Sequence, residues 1–259
     1  MRKKYAKIKK KKSILKSKIF WLSFLILICI GGSIYLFIFS PVFEIKSVEI
    51  KGNFAFLDAS KIKQNVEQLL PKKLFVFQLK NIFLFNAKNI SKTLSKEFIQ
   101  LKKVTIHRKF PSQIIVICQE RQPIANFCEK EKCYLLDDMG ITFQNINATD
   151  TARILVIPVN TENIAYPNVI DANLLKIIIQ IRDGIKAKLN LDSKECIFSA
   201  IKLEMRIQDG WLAIFDPQKN IEQQINALTV VYKDKIGESN SLKIDYIDVR
   251  LDKIFYKLK

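Results

Sequence analysis

Serines placed three residues before a lysine, one histidine and a close pair of cysteines are the groups in this chain with reactive chemistry to offer. The Ser-x-x-Lys spacing occurs at Ser13/Lys16, Ser60/Lys63 and Ser199/Lys202. A lysine so placed can activate a serine for acyl transfer, but enzymes built this way also carry Ser-x-Asn and Lys-Thr-Gly elements, and these are missing. In a chain with 43 Lys and Arg, such spacings arise by chance. His107 stands mid-strand beside Arg108, with no nucleophile elbow to serve. Seven glycines, none in a phosphate-cradling pattern, leave no nucleotide loop. No catalytic residue, cofactor, metal or small-molecule substrate is expected.

The cysteines divide by setting. Cys29 lies in an apolar run, while Cys118 and Cys196 fall in strand-like segments and read as small core residues. Cys128 and Cys133 flank the polar stretch Glu129-Lys130-Glu131-Lys132. In an antiparallel hairpin they stand opposite each other at about 4.5–5.5 Å between Cα atoms, within disulfide range. A bridge closing so short a loop contributes about 2 kcal/mol by chain entropy. Two free thiols are the alternative, and a metal site lacks further ligands.

The elements that position these groups begin with Ile19 to Phe39, an uncharged run of 21 residues. At about 1.5 Å per residue it is long enough, as a helix, to cross the hydrocarbon core of a bilayer. Before it, residues 1–18 carry ten Lys and Arg and no acid, an excess that keeps this flank cytoplasmic and favours contact with anionic lipid. The expectation is a single-pass protein with its N-terminus inside and everything after Ser40 outside. A cleaved signal peptide ending at Gly31-Gly32-Ser33 is the alternative, but the apolar run resumes at Ile34. A lipoprotein site at Cys29 is disfavoured by bulky Ile28 before it. The formal charge of +18 leaves +8 once the tail is set aside, too mild a bias for a nucleic-acid footprint.

Beyond the span, Phe43 to Lys51 reads as a strand. Asp58 caps a helix with Ile62, Val66, Leu69 and Leu70 on one face, and Ala87 to Ile99 fits a second helix through Ile90, Leu94 and Phe98. Leu74 to Phe85 between them is strongly apolar. Val104 to His107 and Ile114 to Cys118 form a hairpin, so the order is strand, helix, helix, strand, strand. In the second half, Asp137-Asp138-Met139-Gly140 turns between two strands, and Arg153 to Val159 is another. Asp171 to Leu189 is an amphipathic helix striped by Leu174, Ile178, Ile181, Ile185 and Leu189. Ile197 to Ile207 alternates as one strand, turning at Asp209-Gly210 into Trp211 to Phe215. Asp216 and Pro217 start a helix buried through Ile221, Ile225, Leu228 and Tyr232, and strands near Leu242 to Arg250 and Ile254 to Leu258 close the chain.

Val104-Thr105-Ile106-His107-Arg108-Lys109-Phe110-Pro111, followed by Ile114 to Ala125 with Glu120, Arg121 and Pro123, resembles the central signature of the FtsQ/DivIB family of bacterial cell-division proteins. Asp138 to Phe143 and Tyr246-Ile247-Asp248-Val249-Arg250 resemble its later motifs. The resemblance implies an α+β chain: a tail at 1–18, a transmembrane helix at 19–39, a POTRA domain at 43–121 and a C-terminal β domain with an antiparallel sheet at 122–259. It also implies a non-enzymatic divisome scaffold at the septum, linking FtsB/DivIC-like and FtsL-like membrane proteins. The family's partner surface falls here on Asp248, Arg250 and Leu251, the last standing where an aromatic is common. A terminal edge strand invites strand addition, with Arg250 and Phe255 lending selectivity. For Glu120 and Arg121 an intramolecular pair or a solvated face is the expectation, and Gly140 supplies a positive φ. Another POTRA-type protein or a generic membrane-anchored binding module is the alternative. The soluble-type helices after Asp150 argue against a β-barrel.

Overall fold

A computed structural model describes residues 18–70, 80–129, 132–146, 153–159, 165–251 and 253–259. The basic tail up to Ser17, with Ser13 and Lys16, and the start of the apolar stretch, Leu74 to Leu79, lie outside the described residues. The chain forms two compact units, Met1–Gln119 and Glu120–Lys259.

In the first unit α1 spans Lys18–Phe39, and none of its residues is buried. A 3₁₀ turn at Pro41–Phe43 follows, capped by the Ser40 hydroxyl, which accepts from Val42 N–H. This turn shortens the first expected strand: β1 covers Ser47–Lys51 only. Then come α2 (Ala59–Leu69), α3 (Ala87–Glu97), β2 (Leu101–Lys109) and β3 (Gln113–Glu120). Asp58 accepts from Ser60 N–H and Asn86 from Asn89 N–H, so each helix starts on a side-chain cap. The bond from Ser60 N–H, and then that from the Ser60 hydroxyl, hold the Asp58 carboxyl below its ordinary pKa.

The sheet order is β1-β3-β2, with β1 parallel to the central β3 in the register Val48↔Ile114 and Ile50↔Val116. Ile114, Val116 and Cys118 alternate into the core while Ile117 is exposed, so one face of the sheet is buried. The helices cover that face with Ile62, Val66, Ile90 and Leu94. Each such side chain contributes about 1.5–3 kcal/mol on burial. Leu69, expected on that stripe, is instead partly exposed, and Leu70 takes its place where the chain leaves the helix.

In the second unit, β4 (Ala125–Glu129), β5 (Lys132–Leu136), β6 (Thr142–Ile146) and β7 (Leu155–Pro158) precede α4 (Ala172–Leu189). β8 (Ser193–Phe198), β9 (Leu203–Ile207), β10 (Leu212–Phe215), α5 (Ile221–Val231), β11 (Ile244–Asp248) and β12 (Phe255–Leu258) complete it. The strands form one sheet ordered β12-β11-β10-β9-β8-β7-β4-β5-β6. The sheet is mixed, not antiparallel throughout: β4–β7, β7–β8 and β10–β11 run parallel. Each of these pairs is joined by a long connection carrying at least a hairpin or a helix, as parallel pairing demands.

Three local expectations are also corrected. Ile197 to Ile207 is not one strand but the hairpin β8–β9, turning at Ser199–Lys202 with Ile201 exposed. The cap of α5 is Asn220, accepting from Gln223 N–H, whereas Asp216 and Pro217 sit in the preceding turn. On α4 it is Leu175, not Leu174, that is fully buried with Ile178, Ile181 and Ile185. The two helices approach closely at Gly184, where a Cβ would stand 2.7 Å from Ile225 Cδ1. Trp211 stacks on Tyr232 at 5.8 Å, and its indole N–H donates to Ser241 Oγ.

Candidate partner interface

The end of the nine-stranded sheet is built by β11 and β12. β11 lies parallel to β10 in the register Ala213↔Ile247 and presents Ile244 and Ile247, both fully buried, to the core. β12 pairs antiparallel with β11 through Ile247↔Tyr256 and Asp248↔Phe255. It heads the strand order, and all four of its residues are exposed. Phe255, Tyr256 and Leu258 each keep about half their surface in water. The buried positions that mark β11 are absent here, since β12 has core on neither face.

Asp248, Arg250, Leu251 and Phe255 come together at one end of this strand pair. The Arg250 guanidinium folds back on Asp248: Nη2 donates to Oδ2 at 2.7 Å, Nε donates to Oδ1 at 3.0 Å, and the Arg250 N–H donates to Oδ1 at 3.1 Å. Burial pushes the Asp248 carboxyl up, but the side-chain and backbone bonds from Arg250 outweigh it and hold its pKa below the ordinary value. The same bond raises Arg250. Leu251 is exposed. Beside it a shallow groove of about 210 Å³ is lined by Lys219, Gln223, Ala227, Arg250, Leu251 and Ile254. Lys219 Nζ donates to Arg250 O at 2.8 Å, tying the α5 entry to the turn after β11. Arg250 is thus a clasp first, and a free cation only in part. Tyr256, Leu258 and Lys219 were not among the residues marked by the sequence. The apolar pair on a terminal tetrapeptide was a legible signal; the lysine, thirty-one positions from Arg250, was not.

At the other end of the unit, Cys128 and Cys133 face each other in the β4–β5 register and are joined as a disulfide, with Cα atoms 4.2 Å apart. Cys118 and Cys196 are buried; desolvation pushes the Cys118 thiol up to about 11 and raises Cys196 too. Arg121 pairs with the fully buried Asp137 at 2.5 Å. Asp137 also accepts from the N–H groups of Met139 and Ile141, and so organises the β5–β6 turn. Gly140 has φ of 74°, and a Cβ there would stand 2.0 Å from Ile170 O. Ser199 Oγ donates to the Lys202 carbonyl, while Lys202 Nζ pairs with Glu204, so this serine and lysine are engaged elsewhere. His107 is exposed on β2. Among the described residues no group of His, Cys, Asp and Glu is placed to hold a metal ion.

Residues 43–121 match the family model of the POTRA domain, FtsQ-type. No curated protein matches the chain. The matched range takes in β1, both helices, β2 and β3, in the order and with the sheet described above. That family is generally non-enzymatic and division-associated. With an FtsQ-type POTRA domain directly behind an N-terminal apolar helix, this chain fits an FtsQ/DivIB-like protein.

Proposed function

We propose that this chain is a non-enzymatic scaffold of the bacterial divisome. Its α1 anchors it in the cytoplasmic membrane with the basic tail inside, and both following domains work outside. There it links membrane-anchored partners of the FtsB/DivIC and FtsL kind at the septum. The observation that carries this reading is β12, an edge strand exposed along its whole length with Phe255, Tyr256 and Leu258 in solvent. An edge strand offers unpaired backbone N–H and C=O groups, so a partner segment adds as a tenth strand and its side chains choose the register. Aromatic residues are the side chains that most often dominate such interfaces. The Asp248–Arg250 clasp stiffens the turn that leads into the edge and presents Leu251 beside it.

The test is twofold. A fluorescent fusion in dividing cells is expected at midcell, and the full-length protein in detergent is expected to co-purify with an FtsB-like partner. A uniform membrane signal would sink the divisome assignment, and undiminished co-purification after β12 is made charged would sink the edge.

A further inference from the structure

A second exposed apolar surface lies in the POTRA unit, at the exit of α1. Phe37, in the last turn of α1, contacts Phe83 at 6.2 Å and Phe43 at 5.3 Å. Phe83 in turn contacts Phe43 at 5.2 Å and Phe110 at 5.3 Å. The four rings form one continuous cluster from the apolar helix to the β2–β3 turn. Yet the cluster is not a core: Phe83 is 45% exposed, Leu84 46% and Phe110 56%, and Val42, next to Phe43 in sequence, is exposed too.

The patch is also held rigidly. Asn81, almost fully buried, donates through Nδ2 to the carbonyls of Phe37 and Ile38 at 2.9 and 2.7 Å. These are terminal carbonyls that a helix leaves without intrahelical partners. Asn81 Oδ1 accepts from Phe83 N–H at 2.8 Å. Arg108 lies over the Phe85 ring and donates to the carbonyls of Ile82 and Phe85. The loop carrying Phe83 and Leu84 is therefore fixed to the helix end on one side and to β2 on the other.

We propose that this foot of the POTRA domain is a lipid-binding surface, with Phe83, Leu84 and Phe110 seated in the interfacial layer of the outer leaflet. The inference rests on reading α1 as a membrane span. Given that, the last turn of the helix lies at the hydrocarbon boundary, and rings in contact with Phe37 lie at headgroup depth. Phe and Leu are among the side chains by which interfacial segments bury themselves at the headgroup–acyl boundary. Charge agrees: exposed Lys46, Lys80 and Lys109 adjoin the patch, Lys46 through a backbone bond to Ser112, against Glu44 as the acidic neighbour. Anionic headgroups are the complement of these lysines. The surface turns a single helix into a two-point mount and limits the tilt of the domain on the membrane.

The experiment uses the full chain in phosphatidylcholine/phosphatidylglycerol vesicles containing lipids brominated near the glycerol end. Phe110→Trp and Leu84→Trp are made in a Trp21→Phe background, where the fully buried Trp211 gives a constant signal. Each new indole is expected to lose about half its emission to the brominated lipid, as a ring within about 5–10 Å of the headgroup–acyl boundary should. It should also be shielded from aqueous acrylamide. An indole quenched by acrylamide and not by lipid overturns the proposal. One shielded from both also overturns it, because a protein then covers the patch. The wild-type Trp21 separates the two readings. If Trp21 escapes the brominated lipid the anchor itself fails, whereas quenched Trp21 beside unquenched reporters condemns the foot alone.

Discussion

The two edges of the nine-stranded sheet are managed in opposite ways. At β6 the start of the edge is strapped: Thr142 N–H and its hydroxyl both bond Pro167 O, and just before the strand Ile141 bridges to Asn168 and Val169 N–H donates to Gly140 O. The strap crossing there leaves Thr142 and Phe143 buried. At β12 nothing comparable exists among the described residues, and the strand stands exposed on both faces. An open, partly aromatic edge is an aggregation hazard that folded proteins ordinarily suppress. Leaving one edge open while strapping the other is the pattern expected when the open edge has a partner.

The largest effect should come from dismantling the strapped side. Asp137 is fully buried and holds Arg121 and two turn amides. Asp137→Ala strands a guanidinium and those donors, and should cost about 3–5 kcal/mol of stability. Thermal denaturation of the second unit within the full chain should show a lower midpoint. Light scattering should show self-association as the β6 edge loosens. An unchanged midpoint would mean the turn does not depend on this carboxylate.

Next in size is the open edge. Replacing Phe255 and Tyr256 together by lysine touches no core residue, so the melting midpoint should barely move. Partner capture should fall by about thirtyfold or more, the loss of an interface hot spot worth about 2 kcal/mol. Asn145→Lys, the matched change on β6, should leave capture intact. Equal losses from both would erase the distinction between the edges.

The Cys128–Cys133 bridge lies in the β4–β5 hairpin next to the strapped edge. Its loss in Cys128→Ser/Cys133→Ser should lower stability by about 2 kcal/mol, with partner capture unchanged. Protein isolated from membranes without reductant should resist alkylation at both positions; labelling of both would show that the hairpin does without the bond.

How much of this was legible depended on range. Helix starts at Asp58 and Asp171 and the turn at Asp137–Gly140 are written in a few adjacent residues, and they stand where the sequence put them. The β8–β9 hairpin was missed because Ser199–Lys202 has no glycine or proline, and Ile201 in the turn continues an alternation that belongs to β9. The parallel pairs β4–β7 and β10–β11 join segments far apart in sequence, for which no local pattern exists. The candidate site was legible as a motif, Asp248 with Arg250, but not as a clasp. The covalent neighbours show which residues sit together and not that the guanidinium turns back on the carboxylate. Likewise Phe37, Phe83 and Phe110 read as separate apolar residues until the Asn81 bonds draw them into one cluster.

The smallest effect belongs to that clasp, and it is a pH effect. The folded-state pKa of Asp248 is depressed, so its contribution is fully present above the unfolded-state pKa of about 3.9 and is lost as pH falls through the lower folded-state value. Arg250 stays charged throughout, so the carboxylate alone titrates. Because the pair is partly open to solvent, its worth is about 1 kcal/mol or less. Below about pH 4 the melting midpoint of the wild type should therefore decline slightly more steeply than that of Asp248→Asn, which has no charge to lose. Arg250→Glu sets two carboxylates side by side and should reverse the sign, gaining stability as the acid protonates one of them. Partner capture by that variant at neutral pH should be weak while β12 still folds. If instead Arg250→Glu binds like the wild type, the clasp only tidies the end of β11, and the open edge recruits its partner through β12 alone.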